Sequence, residues 1–203
     1  MFLLTPTDKY LTLSAPAGYG KSYLLNYIEQ EWKALNNQRQ FLQMDKLNNI
    51  KFGCTTNKAA SVLNNSTTVH KMLGLVPRKN FKTGQTFTAT TAKTKDVGND
   101  LIIIDESSML DVQILKIIDD YTSTAKVIFV GDEYQLPPVG SSVVPVFSRD
   151  YAATTLTEPM RQDKDSHLFK EIAKLRQAVI TGTYYQVQEG EGIRFLKGQE
   201  FKD

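Results

Sequence analysis

A short apolar stretch, a loop with two glycines and an amphipathic stretch follow one another within residues 10–35. The apolar stretch YLTLS ends at Pro16, Gly18 and Gly20, because proline and glycine interrupt regular structure. Beyond this loop, apolar side chains recur at helical spacing, at Tyr23, Leu24, Tyr27, Ile28, Trp32 and Leu35. The order predicts a strand, a glycine loop and a helix.

The same alternation continues along the chain. IKFGCTT predicts a second strand, and NKAASVLNN predicts a short helix capped by Thr56 or Asn57. DLIIID and AKVIFVGD are continuous apolar runs of the kind that parallel sheets bury, and Val112, Leu115 and Ile118 predict a helix between them. We therefore predict an α/β fold, in which a parallel sheet carries helices on both faces.

Two further segments complete the predicted organisation. Residues 77–97 are rich in threonine and lysine, and predict a small inserted β-hairpin with its turn at Lys82 to Gln85. Near the end of the chain, Leu168, Ile172, Leu175 and Val179 would share one face of a helix that Asp165 or Ser166 caps and Gly182 ends. Residues 183–203 are predicted to be a connecting segment that follows this helix.

Composition restricts the class of protein only loosely. The 203 residues suffice for one globular domain with a small appendage, and the formal net charge of +2 permits a nucleic-acid partner without indicating one. The single cysteine, Cys54, excludes an internal disulfide and fits a reducing compartment. No apolar run is long enough to span a bilayer, and residues 1–10 do not resemble a signal peptide. We expect a cytoplasmic protein that does not enter membranes.

The glycine loop has the features of a phosphate-binding loop. Such a loop curls successive backbone N–H groups around an anion at a helix N-terminus and adds the point charge of a lysine. Ala15 stands where the usual pattern has its first glycine, which is tolerable if this residue keeps β-region backbone angles. The alternative is a glycine turn before an ordinary helix. The residues predicted to surround the phosphates are Ala17, Gly18, Tyr19, Gly20, Lys21, Ser22 and Tyr23.

Carboxylates follow a second predicted strand. In LIIIDESS, Asp105 can hold a magnesium ion and Glu106 can activate a water molecule, although both can also be solvated strand ends. A third predicted strand ends in the segment VGDEYQLPPVG, which contains Asp132 and Gln135. This segment either places the Gln135 amide near a γ-phosphate or is a surface turn stiffened by two prolines. Because the carboxyl ends of parallel strands share one edge, these segments together indicate hydrolysis of a nucleoside triphosphate.

Six segments, in this order, resemble motifs I, Ia, Ic, II, III and IV of superfamily 1 helicases. They are APAGYGKS, TTNKAA, TTVHKMLGL, IIIDESSML, VGDEYQLPPVG and LTEPMRQ, and the resemblance covers about residues 11–176. The sequence is most similar to the RecD-like and bacteriophage Dda-like branch, which moves 5′ to 3′ on single-stranded DNA. The resemblance implies a RecA-like P-loop domain in a bacterial or phage-infected cell.

The resemblance also implies roles for individual residues toward ATP and Mg²⁺. Lys21 would bind the β- and γ-phosphates, while Ser22 and Asp105 would coordinate Mg²⁺. Glu106 would be the general base for the attacking water, and Gln135 would sense the γ-phosphate. Arg161 matches the motif IV arginine that reaches the γ-phosphate and neutralises the negative charge that develops there. Without the other motifs, the sequence would indicate only a surface arginine before a helix.

Two motifs imply contacts to single-stranded DNA. The helix N-terminus in TTNKAA and the segment TTVHKMLGL would hold the strand, although a lone histidine is more often structural. Aromatic side chains of the inserted hairpin would stack on a base or, equally, anchor the hairpin to the domain. The predicted DNA-binding residues are Thr56, Asn57, Lys58, Thr68, His70, Phe81 and Phe87.

These motifs predict one motor domain of an ATP-dependent DNA helicase. Residues 1–76 and 98–182 would form the RecA-like domain. We expect a monomer that lacks the second RecA-like domain of such helicases and therefore unwinds no duplex alone. Its expected partners are replication or recombination proteins. The alternative is a nucleotide-dependent module that binds single-stranded DNA or a replication partner without unwinding. A P-loop kinase of a small metabolite is disfavoured, because DESSM and GDEYQLPP then have no explanation.

Overall fold

The computed structural model describes residues 2–5, 7–55, 66–79, 86–90, 96–160 and 165–196. The chain divides into two compact units, Met1–Thr157 and Glu158–Asp203. The first unit holds the main sheet, its helices and the predicted hairpin, and the second holds one long helix and the segment after it. The domain bounds predicted from the sequence stay predictions.

A six-stranded sheet forms the centre of the first unit, with the strand order β3-β2-β6-β7-β1-β8. All of its paired strands run parallel. The strands are β1 (Tyr10–Ser14), β2 (Ile50–Cys54), β3 (Ser66–Thr68), β6 (Leu101–Asp105), β7 (Lys126–Gly131) and β8 (Ala152–Thr155). The predicted α/β fold with a parallel sheet is confirmed.

The inner positions of β6 and β7 are apolar because both faces of the sheet are covered. In β6, Ile102 and Ile104 pack into one core cluster, while Leu101 and Ile103 pack into the other. Successive side chains of a strand point to opposite faces of the sheet. In a strand that is covered on both faces, the side chains on either face therefore pack into a hydrophobic core. Helix residues complete each cluster, with Leu115 on one side and Leu25 on the other.

The described residues include five α-helices, four in the first unit and one in the second, and side-chain caps fix where three of them begin. They are α1 (Lys21–Gln30), α2 (Trp32–Phe41), α3 (Val69–Met72), α4 (Val112–Tyr121) and α5 (His167–Thr181). The side chains of Thr68, Asp111 and Ser166 each accept a hydrogen bond from a backbone N–H in the first turn of α3, α4 and α5. Among the described residues, no helix is both long and apolar enough to cross a membrane.

The single helix expected after the glycine loop is in fact two helices. Glu31, with φ −84° and ψ 5°, ends α1 and precedes α2, so the helical backbone is interrupted there. Tyr23 and Tyr27 belong to the predicted apolar stripe but are exposed, whereas Leu25 is completely buried. The stripe that packs on the sheet is therefore narrower than the sequence indicates, because tyrosines can leave their rings at the surface.

An antiparallel pair of strands lies within the predicted insertion. β4 (Val76–Lys79) pairs with β5 (Thr86–Ala89) in a two-stranded sheet of its own. The predicted turn at residues 82–85 lies outside the described residues.

The second unit is organised around α5. Ser166 caps this helix and Gly182, with φ 66°, ends it, as the sequence predicts. The carboxylate of Glu171, only 2% exposed, accepts hydrogen bonds from the Lys174 ammonium at 2.9 Å, the Tyr185 hydroxyl at 2.7 Å and the Gln188 N–H at 2.8 Å. One buried carboxylate thus fastens the segment after α5 to the helix.

Candidate functional site

The loop between β1 and α1 has the backbone of an anion-binding turn. Gly18 (φ 85°) and Gly20 (φ 87°) both have left-handed angles that other residues rarely adopt. Gly20 is the N-cap of α1 and provides no side-chain hydrogen bond to the first turn. The first N–H groups of α1, which include those of Lys21 and Ser22, therefore remain available to an anion.

Ala15 is compatible with this loop. Its backbone avoids positive φ, since Gln43 and Glu106 are the non-glycine residues with positive φ in the described part of the chain. Its side chain is fully buried, and its N–H donates a 2.8 Å hydrogen bond to the carbonyl of Gly131 in β7. An alanine is therefore tolerated here without the strain of a positive φ, and the loop is anchored to the sheet at its first residue.

The ammonium of Lys21 lies across the loop. Its Nζ donates to the carbonyl oxygens of Ala15 at 2.7 Å and Pro16 at 3.1 Å. The two contacts hold the positive charge against the backbone at the start of the loop. The loop thus combines backbone donors with one fixed cation.

Asp105 and Glu106 lie at the same edge of the sheet as the glycine loop. β7 separates β1 from β6, so Asp105 at the end of β6 is two strand spacings, or about 10 Å, from the end of β1. Glu106 adopts the left-handed region (φ 53°, ψ 36°), and its N–H donates to Oδ1 of Asp105 at 2.9 Å. This backbone conformation is strained for a residue other than glycine, and strained residues of this kind cluster at functional sites.

The environment changes the acidity of both carboxylates. Burial raises the pKa of Asp105, and the charge of Lys21 partly opposes this rise. Burial also raises the pKa of Glu106, and the charges of Asp105 and Asp132 raise it further while Lys21 lowers it. A carboxylate with a raised pKa is a better proton acceptor than an exposed one, which is what a general base requires.

The loop that follows β7 carries Gln135. Asp132 is 3% exposed, its side chain accepts a 3.1 Å hydrogen bond from the Tyr134 N–H, and its carbonyl accepts one of 3.2 Å from the Gln135 N–H. The turn is thereby fixed, while the side chain of Gln135 is exposed at the same sheet edge as Asp105.

Three contacts in this region were not predicted from the sequence. Ser107 donates to the Val130 carbonyl at 2.9 Å, Thr55 donates to the Glu106 carbonyl at 3.4 Å, and Ser14 donates to Glu133 at 3.4 Å. Each joins segments at the carboxyl ends of two different strands. Their only sequence signal is a small hydroxyl residue beside a motif, which is too common to be diagnostic.

The predicted DNA-binding residues are only partly described. Thr68 caps α3 by accepting a 3.2 Å hydrogen bond from the Lys71 N–H, and His70 is half-buried. β3 is four strand spacings from β1, so both residues lie about 19 Å along the same edge from the glycine loop. Thr56, Asn57, Lys58, Phe81 and Arg161 lie outside the described residues, as does the side chain of Phe87.

The parallel sheet with a glycine loop at the start of α1 and carboxylates at the end of β6 defines a RecA-like P-loop fold. The chain belongs to the AAA domain family, which matches residues 4–141. It is also similar to the RecBCD enzyme subunit RecD of Buchnera aphidicola, at 29% identity over 143 residues that cover 70% of this chain and 20% of that protein.

Two further proteins are similar. The uncharacterized protein R530 of Acanthamoeba polyphaga mimivirus is 28% identical over 170 residues, which cover 72% of this chain and 33% of R530. The structure of unliganded Pif1 from Bacteroides sp. has a TM-score of 0.54 at 21% identity, over 79% of this chain and 40% of that one, a likeness of fold. The chain spans a third or less of RecD and R530. Together these findings confirm the resemblance to superfamily 1 helicases.

Proposed function

We propose that this chain is the ATP-binding and ATP-hydrolysing motor domain of a DNA helicase that moves along single-stranded DNA. One observation carries the proposal: the Lys21 loop and the Asp105–Glu106 turn flank β7 at one edge of a parallel sheet. Family membership and the similarity to RecD support it. The finer features of the proposal rest on the motif resemblance alone. They are 5′-to-3′ movement, a Dda-like origin in a phage or bacterium, a cytoplasmic location, a monomeric state and replication or recombination partners.

The loop binds the triphosphate in this proposal. Backbone N–H groups from Gly18 to Ser22 surround the phosphate oxygens, and the Lys21 ammonium exchanges the Ala15 and Pro16 carbonyls for them. Because the two glycines already have the required left-handed angles, binding needs little rearrangement of the backbone. Ala17, Tyr19 and Tyr23 complete the predicted surroundings of the nucleotide.

Glu106 accepts a proton from the attacking water. Its raised pKa supports this role, and its strained backbone fixes the direction of its side chain relative to Asp105. Ser22 and Asp105 fit a Mg²⁺ ion, since hydroxyl and carboxylate oxygens are among its usual protein ligands. The Asp105 carboxylate is largely buried, and it has no ion-pair partner among the described residues. When bound, the ion would neutralise phosphate charge during hydrolysis.

Gln135 and Arg161 respond to the γ-phosphate in this proposal. The fixed turn at Asp132 supports a positioned amide at Gln135, whereas the role of Arg161 rests on the motif alone. Thr68, His70 and the other predicted DNA-binding residues hold the strand. The edge position of β3 and the half-exposed side chain of His70 leave room for such a ligand.

ATP hydrolysis with and without single-stranded DNA tests the proposal. The Glu106→Gln variant is expected to lose about 10²-fold or more of the turnover while it still binds nucleotide, because it lacks only the proton acceptor. Glu31→Gln, the same change at an exposed position, is the matched control. Unchanged turnover in Glu106→Gln would refute the catalytic assignment. Nucleotide-dependent DNA binding without hydrolysis in the wild type would favour the binding-module alternative.

A further inference from the structure

A cavity of about 630 Å³ lies at the opposite edge of the sheet from the nucleotide site. Its lining includes Lys9, Asn99 and Ala125, which lie within two residues of the starts of β1, β6 and β7. A five-residue strand at about 3.3 Å per residue places it roughly 16 Å from the glycine loop. The cavity is thus a separate site, of a size typical of small-molecule pockets (about 300–1,000 Å³).

Two buried cations face this cavity. Arg39 is 4% exposed and Lys126 is 5% exposed, and both belong to the lining. Charged side chains are almost never buried this completely unless a counter-charge is present, because removing a charge from water is costly. These two residues therefore need an explanation that the sheet itself does not provide.

Their hydrogen bonds go to neutral oxygen atoms. Nε of Arg39 donates to the Asp45 carbonyl at 2.9 Å and one terminal nitrogen donates to the Leu3 carbonyl, while Nζ of Lys126 donates to the Asp8 carbonyl. Among the described residues, no carboxylate lies within ion-pair distance of either cation. The Phe2 ring lies 4.6 Å from Nζ of Lys126, and the charges of Asp45 and Asp8 act on Arg39 and Lys126 from beyond ion-pair distance. The two positive charges are therefore only partly compensated.

The electrostatics of the cavity agree with this geometry. Burial lowers the pKa of Arg39 against the opposing charge of Asp45. Burial and the charge of Arg39 lower the pKa of Lys126 against the opposing charge of Asp8. Lys9 is a third basic residue in the lining, and burial lowers its pKa too, against the opposing charges of Asp119 and Asp96. Asp8 and Asp45 also line the cavity, so the lining carries three basic and two acidic side chains.

We propose that this cavity binds a phosphate-bearing small molecule whose anionic group lies between Arg39 and Lys126. An oxyanion would accept hydrogen bonds from the donors that the carbonyls leave unused, and its charge would compensate both cations. The volume exceeds what a phosphate group alone requires, so an attached organic part has space as well. Asn99 and Thr124 add polar groups around it.

A nuclear magnetic resonance titration of ¹⁵N-labelled protein tests the proposal. It is done in the Lys21→Ala background, because the glycine loop itself is a phosphate site. Inorganic phosphate, thymidine monophosphate and thymidine are the probes. Saturating shifts are expected for the amides of residues 43–45 and 124–126 with both phosphate-bearing probes, with a Kd of about 1 mM or below. Tighter binding of the monophosphate would identify an organic phosphate as the natural class.

Variants locate the site. Lys126→Met is expected to weaken phosphate binding about tenfold or more, the effect of losing a charged hydrogen-bond donor. Lys33→Met, at an exposed position on α2, is the matched control and should leave the Kd unchanged. If Lys126→Met does not fold, Lys9→Met at the cavity edge takes its place.

Three results would overturn the proposal. One is the absence of saturable shifts at residues 43–45 and 124–126 with either phosphate-bearing probe. Another is binding of thymidine as tight as that of its monophosphate, and the third is an unchanged phosphate Kd in a folded Lys126→Met protein. Each of them would leave the nucleotide site at the other edge unaffected, so the two proposals fail independently.

Discussion

The hydroxyl of Ser107 donates a 2.9 Å hydrogen bond to the carbonyl oxygen of Val130, and both residues are fully buried. The contact joins the turn that contains Glu106 to the end of β7, directly before the loop that carries Gln135. It links the segment proposed to activate water with the segment proposed to respond to the γ-phosphate. The two loops are thus positioned by a side chain that does not reach the nucleotide.

Ser107→Ala is expected to lower the free energy of unfolding by about 1–3 kcal/mol, because the Val130 carbonyl would be buried without its partner. Turnover of ATP should fall as well, since the turn is less well fixed. Ser108→Ala is the matched control: its buried hydroxyl has no hydrogen-bond partner among the described residues, so its removal should be neutral or stabilising. Chemical denaturation measures both variants, and equal losses would contradict the assigned difference.

Gly20→Ala is expected to destabilise the protein by about 1–2 kcal/mol, because φ 87° brings a Cβ too close to the following carbonyl. It should also weaken nucleotide binding, since the loop N–H groups would move to relieve the strain. Gly182→Ala places the same methyl at φ 66° in open space, and it should lose stability without losing nucleotide affinity. Thermal unfolding and a fluorescent nucleotide titration provide the two measurements. A parallel loss of nucleotide affinity in both variants would argue against the loop assignment.

Acid should release the segment after α5. The hydrogen bond from Lys174, followed by those from Gln188 and Tyr185, lowers the pKa of Glu171 to about 2 from an ordinary value of 4.5. Because the folded-state pKa is the lower one, this stabilisation is complete above about pH 4.5 and is lost as the pH falls toward 2. The amide shift of Gln188 against pH measures it.

Glu171→Gln should show the released spectrum of Gln188 already at neutral pH, since the amide cannot replace the charge that holds Lys174. Glu191→Gln, an exposed residue of the same unit, should titrate like the wild type. A Gln188 amide that does not respond to either acid or Glu171→Gln would mean that this carboxylate does not fasten the segment.

The central part of the fold could be predicted because its signals are local. Apart from Asp105 at the end of β6 and Lys126 at the start of β7, these two strands carry no charged residue owing to coverage on both faces, and the two glycines mark backbone angles that few other residues adopt. The helix cap at Ser166 and the stop at Gly182 were recognisable for the same reason. Each of these features depends on a few neighbouring residues only.

The features that escaped prediction depend on distant neighbours. β8, AATT, is exposed throughout and has no apolar pattern, so it is a strand only because β1 offers an unpaired edge. The break at Glu31 has no proline or glycine to announce it. The contact between Ser107 and Val130, and the cluster of Arg39 and Lys126, join residues far apart in sequence that no spacing rule connects.

The position of β1 within the sheet has a consequence for biosynthesis. This strand is translated before the other strands of the sheet, yet its strand partners among the described residues are β7 and β8, and the Ala15 N–H that anchors the loop bonds to Gly131. Because these partners are translated late, the loop cannot reach its final shape until residue 155 has emerged. A nascent chain shorter than this has no nucleotide pocket for ATP to stabilise.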